Sequence, residues 1–67
     1  MNPVTALAAL IGGTVHDDTI YTRDGRVWSS PFGGRVRLEP WSGRVVDLGP
    51  WHTPAYELAE AYERAIA

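Results

Sequence analysis

Residues Arg35, Val36, Arg37, Leu38 and Glu39 alternate charge and hydrocarbon without a break. Side chains of an extended strand point alternately to its two faces, so this run predicts a strand with one dry and one wet side. An antiparallel sheet covered on a single side is the arrangement that uses such a strand. Residues 44–48 (Arg44, Val45, Val46, Asp47, Leu48) predict the next strand, with Val46 and Leu48 inward and Val45 and Asp47 outward.

The cover for the dry side comes from the C-terminal part of the chain. Ala55, Leu58, Ala59, Tyr62, Ala65 and Ile66 recur at helical spacing on one face, with Tyr56, Glu57, Glu60, Glu63 and Arg64 on the other. Thr53 is expected to cap this helix and Pro54 to occupy its first position, giving a helix over 53–66. Leu58 and Tyr62 are expected to pack on Val36, Leu38, Val46 and Leu48. The 67 residues include no cysteine, so neither a disulfide nor a thiolate-zinc site supplements that small core.

The remaining elements follow from breakers. Asn2 as cap, Pro3 at the first turn and Gly12-Gly13 at the end predict a short N-terminal helix within 1–13, docked through Val4, Leu7, Ala8 and Ile11. Residues 15–23 are a strand candidate interrupted by His16, Asp17 and Asp18, where the aspartates suit a turn. Asp24-Gly25 between two β-favouring runs predicts a tight hairpin. Pro31, Phe32, Gly33 and Gly34 form a loop, and Pro40, Trp41, Ser42 and Gly43 a second turn. Gly49, Pro50, Trp51 and His52 are expected to end the last strand. The expected fold is α+β, a single domain over 1–67. It has a short N-terminal helix, a three- to four-stranded antiparallel sheet over 14–48, and the C-terminal helix on one sheet face.

The formal net charge is −2, which is not that of a strongly basic nucleic-acid binder. The charge is divided, however. Residues 23–44 hold Arg23, Arg26, Arg35, Arg37 and Arg44 against Asp24 and Glu39, whereas the last helix is acidic. All six basic residues are arginine, the side chain whose planar fork matches phosphate and guanine. Arg26, Arg35, Arg37 and Arg44, flanked by Trp28 and Trp41, therefore read either as a phosphate and base-edge reader or as a solvated face laced by pairs with Glu39 and Asp47.

Other constellations are weaker. His16, Asp17 and Asp18 lie far in sequence from His52, and nothing in the sequence brings them together for metal binding or acid–base work. Ser29, Ser30 and Ser42 have no visible base, and Gly33-Gly34 does not lie in a strand-to-helix phosphate loop. Glu57, Glu60 and Glu63 form an acidic stripe whose default is solvation. No catalytic residue, metal or cofactor is expected. No apolar run approaches the ~20 residues of a membrane span, and no charged segment precedes the apolar stretch 4–11 as in a signal peptide. The cytoplasm is the expected compartment.

The junction Val46-Asp47-Leu48-Gly49-Pro50-Trp51-His52-Thr53, followed by Leu58-Ala59-Glu60-Ala61-Tyr62-Glu63-Arg64-Ala65, resembles that of the plant Apetala/ethylene-response-factor type DNA-binding domain. That family is itself similar to phage and bacterial integrase arm-binding domains. The shared elements are Leu-Gly, an aromatic, a Thr and Ala-Tyr-x-x-Ala, and the resemblance covers about 26–65. It implies three antiparallel strands on one helix. It also implies DNA contacts through Arg26 and Trp28 on a first strand, Arg35 and Arg37 on a second and Arg44 on a third. The expectation is a small nucleic-acid-binding or transcription-modulating protein of phage or mobile-element type. The alternative is a protein-interaction module on the same scaffold, binding a host factor or a second copy of itself, with homodimer formation favoured by the small core.

Overall fold

The computed structural model of the chain describes residues 3–29 and 34–67. The elements are α1 (Pro3–Ile11), β1 (Thr14–His16), β2 (Thr19–Tyr21), β3 (Gly25–Ser29), β4 (Arg35–Pro40), β5 (Val46–Pro50) and α2 (Ala55–Ile66). The expected Asn2 cap, Ser30 and most of the Pro31 to Gly34 loop lie outside the described residues.

The five strands form one antiparallel sheet in sequence order, so every neighbour in the sheet is a neighbour in the chain. This is the expected α+β architecture with more strands than predicted. The extra strand comes from residues 15–23. They do not run as one strand but fold back at Asp17 and Asp18, with φ of 50° and 62°. Two successive left-handed residues make the tight turn whose twist matches a hairpin, and aspartate is among the few side chains that tolerate this conformation. His16 then pairs with Thr19 and Val15 with Ile20.

The next hairpin lies where Asp24-Gly25 predicts it, for a different reason. Gly25 has no positive φ and is already the first residue of β3, paired with Pro40. A Cβ at Gly25 would lie 2.3 Å from the Glu39 carbonyl oxygen, so the glycine serves the close approach of β4. The turn itself is held by Thr22. Its N–H donates to the Gly25 carbonyl (2.8 Å), and its Oγ1 accepts from the N–H groups of Asp24 and Gly25 (3.2 Å each).

The sheet's inner face carries Ile20, Val27, Val36, Leu38 and Leu48, all buried. Leu58 and Tyr62 of α2 and Val4, Leu7 and Ala8 of α1 close the same core, as both predicted helical stripes require. The two helices pack on each other, α1 reaching β1 and β2 and α2 reaching β5. They form one layer on one side of the sheet.

The last strand departs from expectation at both ends. Arg44 and Val45 precede it, and Gly49 and Pro50 belong to it, paired with Val36 and Arg35. Arg37 pairs with Asp47 and Val36 with Gly49, which leaves Leu48 as the extra residue of a bulge. Gly49 supplies the φ of 133° that follows it. Pro50 lacks an N–H but costs no ladder bond on an edge strand. Val46, expected in the core, begins this edge and stays partly exposed.

Thr53 does not cap α2. The N-cap is Pro54, with φ −54° and ψ 141°, and no side chain caps the helix. The Pro54 carbonyl accepts from the N–H groups of Glu57 (3.0 Å) and Leu58 (3.1 Å), while the Thr53 N–H donates to Pro50. A proline at the N-cap position moves the helix start one residue beyond the expected one.

Candidate functional site

Both helices lie on the inner face, and no helix among the described residues lies on the outer one. Strand alternation and register set its side chains in two rows. Tyr21, Arg26 and Glu39 lie across β2, β3 and β4, and Trp28, Arg37 and Asp47 lie across β3, β4 and β5. Arg35 stands beside the second row on β4, opposite Pro50. Four of the five arginine and tryptophan positions singled out from the sequence (Arg26, Trp28, Arg35 and Arg37) thus share one surface. Arg44 does not, because it lies in the exposed loop between β4 and β5 rather than on a strand.

Most of the charge on this face is spent within it. The Arg26 guanidinium donates to Glu39 Oε1, directly across the β3–β4 pairing, and its Cζ lies 5.5 Å from the centre of the Trp28 ring. Arg26 is therefore shared between a carboxylate and an aromatic face, an arrangement in which a cation gains from the ring quadrupole. Arg35 grips Asp47 with two donors, Nε to Oδ1 at 3.2 Å and Nη2 to Oδ2. The hydrogen bond from Arg35 holds the Asp47 carboxyl below its ordinary value, and Asp47 in turn raises Arg35. Both pairs are partly exposed, so they fix side-chain geometry more than they stabilise the fold.

Arg37 is different. It is exposed at the centre of the sheet and has no ion pair among the described residues. Half-buried Trp28 is its cross-strand neighbour, and Tyr21, 39% exposed, adds apolar surface to the same face beside Arg26. Trp41 belongs elsewhere. Its backbone N–H donates to the Asp24 carbonyl at 3.1 Å and its indole N–H to the Thr22 carbonyl at 3.2 Å, which places it at the β2–β3 turn.

The sheet region as a whole is electrically balanced. Between residues 14 and 50, Arg23, Arg26, Arg35, Arg37 and Arg44 meet Asp17, Asp18, Asp24, Glu39 and Asp47. The excess of arginine noted over 23–44 is cancelled by the aspartates of the β1–β2 turn and of β5, which sequence order hides and sheet pairing brings near.

The remaining candidates do not assemble. His16 is exposed on β1, 3.5 Å from Asp17, and His52 is exposed in the loop before α2. No group of three or more metal-ligating side chains occurs among the described residues. No helix there is long and apolar enough to cross a membrane. Compared with family models, curated proteins and solved structures, the chain matches none.

Proposed function

We propose that the protein is an interaction module that docks a protein partner on the open outer face of its sheet. The observation that carries this reading is the charge balance of that face: Arg26 and Arg35 are already neutralised by Glu39 and Asp47. A surface that follows a phosphate chain works by releasing counterions from several uncompensated cations. A surface built from a tryptophan, a tyrosine and arginines with their charges mostly paired has the make-up of a protein interface centre. Trp28 and Tyr21 supply the area, and Arg37 supplies one cation for a carboxylate on the partner.

A second reading, nucleic-acid binding, rests on the resemblance over 26–65 and on the stack of Arg26 over Trp28 beside the free Arg37. One pair of experiments separates the two. Immobilised wild-type protein retains a partner from a cell lysate that both Trp28→Ala and Arg37→Glu lose. Duplex and single-stranded DNA show no mobility shift at about 50 mM salt, where phosphate contacts are strongest. A shift that weakens with salt, and whose log–log slope falls by about 0.9 in Arg37→Ala, overturns the first reading in favour of the second.

A further inference from the structure

Arg37 and the acidic stripe of α2 lie on opposite sides of the molecule. On the outer sheet face both strand carboxylates, Glu39 and Asp47, are in ion pairs, and Arg37, across the strand pairing from Asp47, has no ion pair of its own among the described residues. On the solvent side of the helix layer Glu57, Glu60 and Glu63 are exposed and have no ion pair among the described residues, and Arg64 is the only cation of α2.

Each side also exposes apolar surface. Leu10 of α1, 54% exposed, and Tyr56 of α2, 61% exposed, flank a shallow groove floored by Ala59 and edged by Glu60, Glu63 and Arg64. The sheet side offers Trp28 next to Arg37, with Tyr21 farther along the same face beside Arg26. One side therefore presents aromatics with one cation, and the other a groove whose two carboxylates outnumber its one cation, Arg64.

We infer that the partner of the outer sheet face is the helix groove of a second copy of this chain. This rests on the protein-interaction reading above and names its occupant. Arg37 of one copy meets Glu60 and Glu63 of the next, and Trp28 and Tyr21 cover Leu10 and Tyr56. The two surfaces differ and lie on opposite sides of a two-layer molecule, so the contact is head-to-tail and each copy retains one unused side. Such a contact closes into a ring or continues as an open chain, and it does not stop at a two-fold dimer.

Two charge-reversal variants test this, because each disables one side only. Arg37→Glu removes the sheet-face cation, and Glu60→Arg places a cation in the groove. Both positions are exposed, and circular dichroism should show the fold retained in both variants. Sedimentation of the wild type should show masses that grow with concentration past the dimer and shrink with added salt. Each variant alone should associate at least about tenfold more weakly, since like charges then face each other. Mixed together, the two should recover association, because the intact groove of Arg37→Glu meets the intact sheet face of Glu60→Arg and the two reversed surfaces again oppose charges of unlike sign.

A wild type that remains monomeric at millimolar concentration overturns the inference, as does a mixture that stays monomeric or variants that assemble like the wild type. If the wild type is monomeric while capture of a different protein still depends on Arg37, the interaction reading stands and only its occupant changes. If neither occurs, both fall.

Discussion

The hydroxyl of Tyr62, a residue of α2, donates to Thr22 Oγ1 at 2.8 Å and reaches Asp24 Oδ2 at 3.3 Å, tying the helix to the β2–β3 turn forty residues earlier in the chain. The ring is buried in the core, and the hydroxyl meets the Thr22 side chain that accepts from two N–H groups of the turn. Tyr62→Phe keeps the packing and removes this tie. It should cost about 1 kcal/mol, with thermal melting as the measure. An unchanged melting midpoint would show that the hydroxyl is as well served by water.

The same group sets a pH dependence. Burial, the largest cause, raises the Tyr62 pKa above the ordinary tyrosine value of about 10. The unfolded chain then ionises first as pH rises. The contribution of Tyr62 is complete below pH 10 and is lost as pH climbs through the folded value. Denaturant titrations from pH 9 to 11 should show the wild type losing stability more steeply than Tyr62→Phe. Parallel curves would contradict this.

Leu58 of α2 is buried in the core, and Leu10 of α1 is exposed. Leu58→Ala should cost about 2–5 kcal/mol, enough to unfold a domain of this size. Leu10→Ala should stay within about 0.5 kcal/mol. Similar melting of both variants would mean that the helix layer is placed the wrong way round.

Gly25→Ala forces a methyl group against the backbone of Glu39 and Pro40, neither of which can rotate away. The overpacking should cost about 1–3 kcal/mol by chemical denaturation. A neutral substitution would mean that β3 and β4 are farther apart at this pair.

The bidentate grip of Arg35 on Asp47 should be visible by carboxyl titration. In Arg35→Gln the Asp47 pKa should climb back towards that of an ordinary aspartate, because the hydrogen bond that lowers it is weaker. In the wild type the small stabilisation from Asp47 is present above the ordinary aspartate range and disappears as pH falls through the lowered folded value. A pKa that does not move in Arg35→Gln would show that the pair does not persist in solution.

The parts of the fold visible in the sequence were those with a repeated pattern. The i, i+3, i+4 spacing of Val4, Leu7, Ala8 and Ile11 and of Leu58 and Tyr62 located both helices and their buried sides. Alternation in 35–39 located β4. The features that the sequence hid depend on backbone geometry at single residues. Asp17 and Asp18 lack the Asn-Gly signature of their turn, so β1 and β2 read as one interrupted strand. The bulge at Leu48 carries the strand on through Gly49 and Pro50, two residues that ordinarily mark an end. At the candidate site, the shared face of Arg26, Trp28, Arg35 and Arg37 followed from period-two spacing. Their pairing with Glu39 and Asp47 was legible only as one of two alternatives, because it depends on cross-strand register. Thr53 has the right identity for a cap but sits one residue too early. Thr53→Ala should accordingly change stability by less than about 0.5 kcal/mol, and a loss near the ~1 kcal/mol of a true cap would restore the original expectation.

The meander has a consequence for how the chain acquires its structure. Every strand pairs with its neighbour in sequence, so the sheet closes only short loops and those contacts form early at small entropic cost. The packing of α1 on α2 is the opposite case, since it joins the first element to the last. A sheet that pairs before α2 docks leaves Val36, Leu38 and Leu48 wet until Leu58 and Tyr62 cover them. Leu58→Ala should therefore speed unfolding far more than it slows folding, whereas substitutions in the β3–β4 hairpin should act chiefly on the folding rate.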